Sequence, residues 1–215
     1  LIGWTPAQEK PMENPVAVLI FHGNAGHALQ RSYFFEALST LPQPLALRVM
    51  EYPGYGPRPG SASFKTLVQA GIEAVDLLSQ DYEKVILLGE SLGSGVAAEV
   101  IRQRPEVEGA LLITPYHSMT SLAQSRMPWL PVRLILTERY EPLTALTDFQ
   151  GRVGLIVAGE DQVIPPRFGM ALYEKLSGVE KQMWLVEGHG HNDLPYQWGP
   201  EWLQEAISFV TGRRE

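Results

Sequence analysis

The segment Gly89–Gly93, with the sequence Gly-Glu-Ser-Leu-Gly, constrains the fold of this chain most strongly because it joins an apolar run directly to a helical pattern. The run Val85–Leu88 is typical of a buried strand, and small residues follow Leu92 at helical spacing. So sharp a turn forces strained backbone angles at Ser91, and the flanking glycines remove Cβ atoms that would collide with the strand and the helix. We therefore expect the Ser91 hydroxyl at a sheet edge, where a helix begins and backbone N–H groups are available.

Short apolar runs alternate with helical patterns along the whole chain, which predicts an α/β fold with a mostly parallel sheet covered by helices on both faces. The predicted strands are Val16–Phe21, Leu45–Met50, Lys84–Leu88, Ala110–Thr114, Gly154–Ala158 and Gln182–Val186. The predicted helices are Arg31–Leu41, Phe64–Gln80, Leu92–Arg104, Arg167–Leu176 and Glu201–Thr211. A chain of 215 residues without cysteine can bury a sizeable core without disulfides, so we expect residues 1–215 to form one domain.

The segment from His117 to Thr147 departs from this alternation. It carries Pro128, Trp129 and Pro131, and the apolar series Val132–Leu136 follows them. A connection of this length inside a compact domain usually has its own structure and often a function, so we predict a small cap inserted at residues 117–147. The alternative is a helical excursion on the surface without a function.

The charge and composition exclude several classes of partner. The net charge is −7 and the chain has no basic run, the nearest approach being Arg213-Arg214, which argues against nucleic acid or an anionic membrane surface as a main partner. No apolar stretch approaches the roughly 20 residues that span a bilayer. The chain begins at Leu1 rather than Met. We therefore expect upstream sequence, which leaves a signal peptide or an anchor open and favours the cytoplasm only slightly.

An exposed serine suggests nucleophilic chemistry, which needs a base to remove its proton and a third group to orient that base. In strand–turn–helix arrangements of this kind the order along the chain is serine, then acid, then histidine. Asp161 follows the strand Gly154–Ala158 and is the favoured acid, with the adjacent Glu160 as the alternative. No metal or cofactor is needed for this chemistry, and none is predicted.

Two histidines are candidates for the base, since His189 and His191 share one glycine-rich loop after the strand Gln182–Val186. Their spacing alone does not separate them. Asp193 in the same loop is a weaker candidate for the acid, because it can serve as a helix cap.

The segment Phe21–Gly26, Phe-His-Gly-Asn-Ala-Gly, follows the first long strand and is suited to holding a developing negative charge. One backbone N–H is expected from the residue after the serine, Leu92, and another from this loop. Asn24 is the favoured donor in the loop and Ala25 the alternative. We expect His22 to brace the loop rather than to act as a base.

Residues at the start of the 117–147 segment are the favoured substrate contacts, namely Tyr116 and His117. Met127 and Trp129 are predicted to form an acyl-binding wall, although apolar residues there could equally seat the cap on the core. The Pro/Gly-rich segment Glu51–Gly60 is interpreted as a rigid turn with aromatic packing, with Tyr52 in the pocket as the alternative.

Together these motifs resemble the α/β-hydrolase superfamily, in particular a compact branch of serine hydrolases related to lysophospholipases and protein depalmitoylases. The resemblance rests on Phe21–Gly26, Glu51–Gly56, Gly89–Gly95, the Gly159–Pro165 turn and His191-Asn192-Asp193, in the expected order. It implies Ser91 as nucleophile, Asp161 as orienting carboxylate and His191 as base, because the catalytic histidine of this branch precedes Asn-Asp.

The resemblance implies a serine carboxylic-ester hydrolase that acts on a small ester or a single-chain lipid. A thioesterase or peptidase would use the same machinery, and a non-catalytic binding module is the alternative of a different class. The family normally has further N-terminal strands before the His-Gly loop, and only fifteen residues precede the strand Val16–Phe21 that leads into it here. We therefore expect the sheet to be shortened at that edge.

Overall fold

One mostly parallel sheet organises the molecule, as the alternation predicts. The computed structural model describes residues 3–4, 13–194 and 200–212. The strand order is β1-β3-β2-β4-β5-β6-β7, in which the short β1 pairs antiparallel with β3 and all other pairs are parallel. The strands are β1 (Gly3–Trp4), β2 (Val16–Phe21), β3 (Leu45–Met50), β4 (Val85–Glu90), β5 (Gly109–Ile113), β6 (Arg152–Ala158) and β7 (Lys181–Val186).

Helices cover both faces of this sheet. They are α1 (Ser32–Leu38), α2 (Phe64–Asp81), α3 (Leu92–Gln103), α4 (Met119–Arg126), α5 (Val132–Ile135), α6 (Pro142–Ala145), α7 (Pro166–Lys175) and α8 (Pro200–Val210). Apolar side chains of α2, α3 and α7 form one buried cluster against the sheet. Those of α1 and α8 form a second cluster on the opposite face. The central strands β2, β4, β5 and β6 are apolar on both sides because neither face of them meets water.

The predicted bounds of β2 and β3 are those observed, and other elements differ at their ends. The predicted helix Arg31–Leu41 is instead a 3₁₀ turn, Ala28–Arg31, followed by the shorter α1. The predicted covering of both faces does not extend to β7, whose residues are half-buried or exposed. β7 is the last strand in the sheet order, so it has a partner on only one side.

The segment 117–147 folds into the short helices α4, α5 and α6. No residue of α4 is fully buried, whereas α6 packs against α3 through buried residues such as Ala145. We refer to residues 117–147 as the cap segment. Across the described parts of the chain, no helix is both long and apolar enough to span a bilayer.

Parallel strands carry their carboxyl ends to one edge of the sheet, and the loops with the predicted site residues all begin there. The junction of β4 and α3 is the tightest of them. A Cβ atom on Gly93 would overlap the Phe21 carbonyl oxygen, and a Cβ atom on Gly89 would overlap the Gly93 backbone. Both positions therefore require glycine for close backbone approach, as the sequence predicts.

Gly93→Ala should strongly destabilise the fold, because the new methyl group has only backbone atoms to displace. We expect the free energy of unfolding to fall by about 3 kcal/mol, as for severe overpacking of a core. Urea-induced unfolding measures the change.

Gly178→Ala is the matched control. Gly178 has a positive φ of 77° but no atoms within 4 Å of an added Cβ, so only backbone strain of about 1 kcal/mol is expected. Equal losses of stability in the two variants would contradict close backbone packing at Gly93.

Candidate active site

Ser91 lies at the turn from β4 into α3 with φ at 53° and ψ at −114°, a conformation rare for a residue with a side chain. Its N–H donates to the Ile113 carbonyl at 2.9 Å, and its own carbonyl accepts from the Ser94 hydroxyl at 2.6 Å. These bonds to β5 and to the first turn of α3 hold the strained turn in place. The Ser91 hydroxyl is thereby presented at the carboxyl edge of the sheet.

Asp161 follows β6, and its carboxylate is almost fully buried at 2% exposure. Oδ1 accepts the backbone N–H groups of Val163 and Ile164, both at 2.7 Å, which leaves Oδ2 to face His191. The adjacent Glu160 is exposed, and its N–H donates to the His189 carbonyl. Asp193 Oδ2 accepts the Gly190 N–H at 2.8 Å within its own loop. Of the three acids considered from the sequence, the structure brings only Asp161 to the histidine.

The His191 side chain connects the serine to the acid. Nδ1 lies 2.6 Å from Asp161 Oδ2, and Nε2 lies 3.0 Å from the Ser91 hydroxyl oxygen. With the proton on Nδ1 donated to Asp161, Nε2 is free to accept the proton of Ser91. His189 is turned elsewhere, since its Nδ1 contacts the Glu187 carbonyl at 2.8 Å. The loop geometry thus separates two histidines that their sequence positions do not.

Two backbone N–H groups flank the serine without acceptors. Among the residues that the structure describes, those of Asn24 and Leu92 have no hydrogen-bond acceptor. Leu92 is the first residue of α3, where N–H groups have no partner within the helix. The Asn24 side chain is fixed by the Tyr55 hydroxyl, which donates to Asn24 Oδ1 at 2.8 Å.

Glu90 braces the loop that carries Asn24, a role that the sequence analysis did not foresee. Its Oε2 accepts from the Gly23 N–H at 3.4 Å and the Tyr33 hydroxyl at 3.1 Å, and lies 3.3 Å from Arg31 Nε. Arg31 in turn donates to the Ala25 carbonyl. An acid between the glycine and the serine of the motif was the only signal in the sequence for this network.

His22 lies in the core beneath the same loop. Its Nδ1 donates to the Gly23 carbonyl at 2.7 Å, and its backbone carbonyl accepts from the Tyr52 hydroxyl at 2.9 Å. Nε2 lies 3.4 Å from Glu51 Oε1. Burial lowers the pKa of His22 to about 4, so the ring is neutral at pH 7. These contacts fit the prediction that His22 braces the loop. Tyr52 is buried in the core, in agreement with the packing role predicted for it.

A cavity of about 420 Å³ opens beside the Ser91 hydroxyl, within the range of small-molecule sites. Its apolar walls are Leu67, Leu92, Met119, Leu122, Leu136, Val163 and Ile164. Its polar lining includes Asn24, Tyr55, Ser63, Tyr116, Glu138 and Tyr140. Sequence reasoning missed Tyr55 and Tyr140, although Tyr55 stands in a loop that leaves the same sheet edge.

The predicted substrate contacts divide into two groups. Tyr116 lines the cavity and is fully buried, and its hydroxyl has no hydrogen-bond partner among the described residues. His117, Met127 and Trp129 do not line this cavity. His117 stacks on Phe168 instead. Trp129 is 76% exposed and Met127 is 37% exposed, so the predicted apolar wall comes from Met119, Leu122 and Leu136.

Comparison with known proteins identifies the family. A family model described as "Alpha/beta hydrolase family" matches residues 18–145. An uncharacterized protein of Mycobacterium tuberculosis is 32% identical over 199 residues, which cover 91% of this chain and 69% of that protein. The alpha/beta hydrolase domain-containing protein 17B of Homo sapiens is 30% identical over 199 residues, which cover 90% of this chain and 66% of that protein.

Solved structures share the fold at lower identity. Est1E from Butyrivibrio proteoclasticus, solved with ferulic acid bound, has a TM-score of 0.75 at 14% identity, over 96% of this chain and 92% of that one. A monoacylglycerol lipase from Paleococcus ferrophilus has a TM-score of 0.67 at 18% identity, over 91% of this chain and 94% of that one. These likenesses extend the shared fold over almost the whole chain.

His22 should make stability depend on pH in a defined window. Its pKa is about 4 in the folded protein and 6.5 in the unfolded chain, so between these values only the unfolded chain binds the proton. Stability contributed by the neutral ring should therefore decrease as the pH falls from about 6.5 to about 4, by about 3 kcal/mol in total. Urea unfolding at a series of pH values measures this slope.

In His22→Gln the loss of stability between pH 6.5 and pH 4 should be smaller by about 3 kcal/mol, whatever the stability of the variant at pH 7. If the dependence of stability on pH were the same in His22→Gln as in the unaltered protein, His22 would take up its proton over the same pH range in the folded and the unfolded chain, contrary to this prediction.

Proposed function

Because the chain belongs to the alpha/beta hydrolase family, we propose that it is a serine esterase that cleaves carboxylic esters through Ser91, His191 and Asp161. The observation that carries this proposal is the continuous set of contacts from Asp161 through His191 to the Ser91 hydroxyl, at 2.6 and 3.0 Å. A serine hydroxyl gains nucleophilic character only when a base lies within hydrogen-bond reach and is itself oriented. This arrangement meets both conditions.

In the first step the Ser91 oxygen attacks the ester carbonyl while His191 Nε2 takes the hydroxyl proton. The ring becomes positively charged, and the buried Asp161 carboxylate stabilises that charge through Nδ1. The same proton then passes from Nε2 to the leaving alcohol, which departs as the acyl-enzyme forms. Water repeats the sequence on the acyl-enzyme, so that the acid leaves and Ser91 recovers its proton.

Negative charge develops on the carbonyl oxygen in both steps and needs donors that are already in place. The unpartnered N–H groups of Asn24 and Leu92 are suited to this, since they need not break bonds within the protein. The bonds from Glu90 to Gly23 and from Tyr55 to Asn24 support the loop donor from two sides. Removing one such donor typically costs about two to three orders of magnitude in kcat.

The cavity favours an apolar acyl group as the part of the substrate that the protein holds. Leu122 and Leu136 from the cap segment line this cavity together with Leu67 and Ile164 of the main body. We therefore assign the cap segment, residues 117–147, the role of a cap within one domain that spans residues 1–215. Substrates that fit are esters of short or medium acyl chains, or a single-chain lipid.

Hydrolysis of p-nitrophenyl esters from acetate to palmitate, with Ser91→Ala alongside, tests the proposal. We expect activity to peak at short or medium chains, because the cavity volume is limited. Ser91→Ala should lower kcat by a factor on the order of 10⁶, as in triads where the nucleophile is removed. Matched thioester and amide substrates separate the esterase from a thioesterase or a peptidase.

Covalent labelling with a fluorophosphonate gives an independent readout. Stoichiometric loss of activity with label on Ser91 is expected of the enzyme. A chain that neither reacts with the label nor turns over any ester would be a non-catalytic binding module, contrary to the proposal.

The two loop histidines provide a matched pair of variants. His191→Ala should lower kcat/KM nearly as far as Ser91→Ala, because no other base reaches the serine among the described residues. His189→Ala should retain most activity, since its ring contacts the Glu187 carbonyl. Steady-state kinetics on the best ester measures both, and the reverse result would assign the base to His189.

A further inference from the structure

The cap segment exposes a group of large apolar side chains to solvent. Leu134 is 81% exposed, Trp129 76%, Ile135 56% and Met127 37%. We call these residues the cap patch. Exposed apolar side chains are common singly, but a group of them on one short segment marks an interaction surface.

Hydrogen bonds hold the backbone that presents the cap patch. The Gln124 side-chain amide donates to the carbonyl oxygens of Met127, Pro128 and Leu130, at 3.0 to 3.2 Å. At the end of α5, the Arg139 guanidinium donates to the Leu136 carbonyl at 2.7 Å and the Arg133 carbonyl at 2.6 Å. The exposed side chains therefore stand on a fixed scaffold.

The cap segment contains three arginines and two glutamates, on a protein whose net charge is −7. Arg126, Arg133 and Arg139 have no carboxylate within ion-pair distance among the described residues. Glu138, next to Arg139 in the chain, accepts from the Phe64 N–H and lines the cavity instead. The sequence shows no basic run because the three arginines are spread over residues 126–139. In the structure the Arg139 guanidinium lies against the Arg133 backbone, next to Leu134.

A polar groove of about 380 Å³ lies beside the cap patch, lined by Thr120, Ser121, Gln124, Ser125 and Arg133. The Arg133 guanidinium is the group in this groove suited to an anionic headgroup, which Arg recognises through planar, paired donors. The Thr120 hydroxyl donates to Glu141 Oε1 at 2.6 Å, and the Ser125 hydroxyl donates to the Leu122 carbonyl at 2.8 Å.

The cap patch also adjoins the mouth of the substrate cavity. Arg126 donates to the Val163 carbonyl at 2.8 Å, which ties the end of α4 to the loop after β6. Val163 is 52% exposed and lines the cavity, as does Leu136 at the end of α5. A surface held against the cap patch would therefore lie next to the entrance of the cavity.

We propose that the cap patch docks this protein on the surface of an anionic phospholipid bilayer. Trp129 and Leu134 enter the interfacial region, where aromatic and apolar side chains are favoured, and the arginines lie at the headgroup phosphates. This inference goes beyond ester hydrolysis, because docking does not require Ser91. It is the opposite of the expectation from net charge, and the vesicle experiment below decides between the two.

Co-sedimentation with vesicles tests the docking surface. The vesicles are phosphatidylcholine alone, or equimolar phosphatidylcholine and phosphatidylglycerol. The unaltered protein should bind the anionic vesicles roughly tenfold more tightly than the neutral ones, since each arginine near an anionic surface contributes to binding. The double variant Trp129→Ser/Leu134→Ser and the single variant Arg133→Glu should each lose roughly tenfold in affinity.

Matched controls come from residues remote from the cap in the chain. Leu77→Ser alters a 41% exposed leucine on α2, and Lys175→Glu makes the same charge change in the last turn of α7. Both should bind vesicles as the unaltered protein does. All four variants change exposed side chains, and their urea midpoints and hydrolysis of a soluble short-chain ester should be unchanged.

The proposal is overturned if the anionic vesicles bind no better than the neutral ones, or if the controls lose as much affinity as the cap variants. A third outcome also overturns it. If light scattering shows self-association that is lost in Trp129→Ser/Leu134→Ser, and the unaltered protein does not bind vesicles, then the cap patch is a contact between two copies of this chain. Vesicle binding is measured without turnover, so its failure is distinct from failure of the proposed esterase activity.

Discussion

The close packing of backbone at the β4–α3 junction is the constraint on which the rest of the site depends. Gly89 and Gly93 let the first turn of α3 lie against β2, and Ser91 between them takes up a positive φ. This geometry exposes the Ser91 hydroxyl at the carboxyl edge of the sheet, and the N–H groups at the start of α3 lie next to it. A side chain at either glycine would separate β4, α3 and β2.

Around this rigid turn, buried polar groups fix the partners of the serine. Asp161 receives two backbone N–H groups on one oxygen and His191 on the other, so its orientation is determined by β6 and the turn that follows it. On the other side, Glu90 ties the loop after β2 to Arg31 and Tyr33. A buried polar group left without a partner is costly, and these satisfied contacts make the site a stable part of the fold.

The cap segment carries both of the features that distinguish this chain from a bare hydrolase core. Its inner residues, among them Met119 and Leu122, face the cavity beside Ser91. Its outer residues, Trp129 and Leu134 above all, face solvent. The cap segment therefore shapes the cavity with its inner side chains and presents the proposed docking surface with its outer ones. Under that proposal, the same segment contacts both the substrate and the membrane.

The sequence by itself determined the central sheet, the long helices α2, α3, α7 and α8 and the serine turn, because apolar periodicity and glycine spacing are local properties. It also indicated Asp161 and the loop of Asn24, since parallel strands bring their carboxyl ends to one edge. Tertiary structure alone decided between His189 and His191 on physical grounds, placed Trp129 outside the cavity and brought Tyr55 and Glu90 to the loop of Asn24. Those outcomes depend on how loops and side chains far apart in the chain meet, and no local pattern records such contacts.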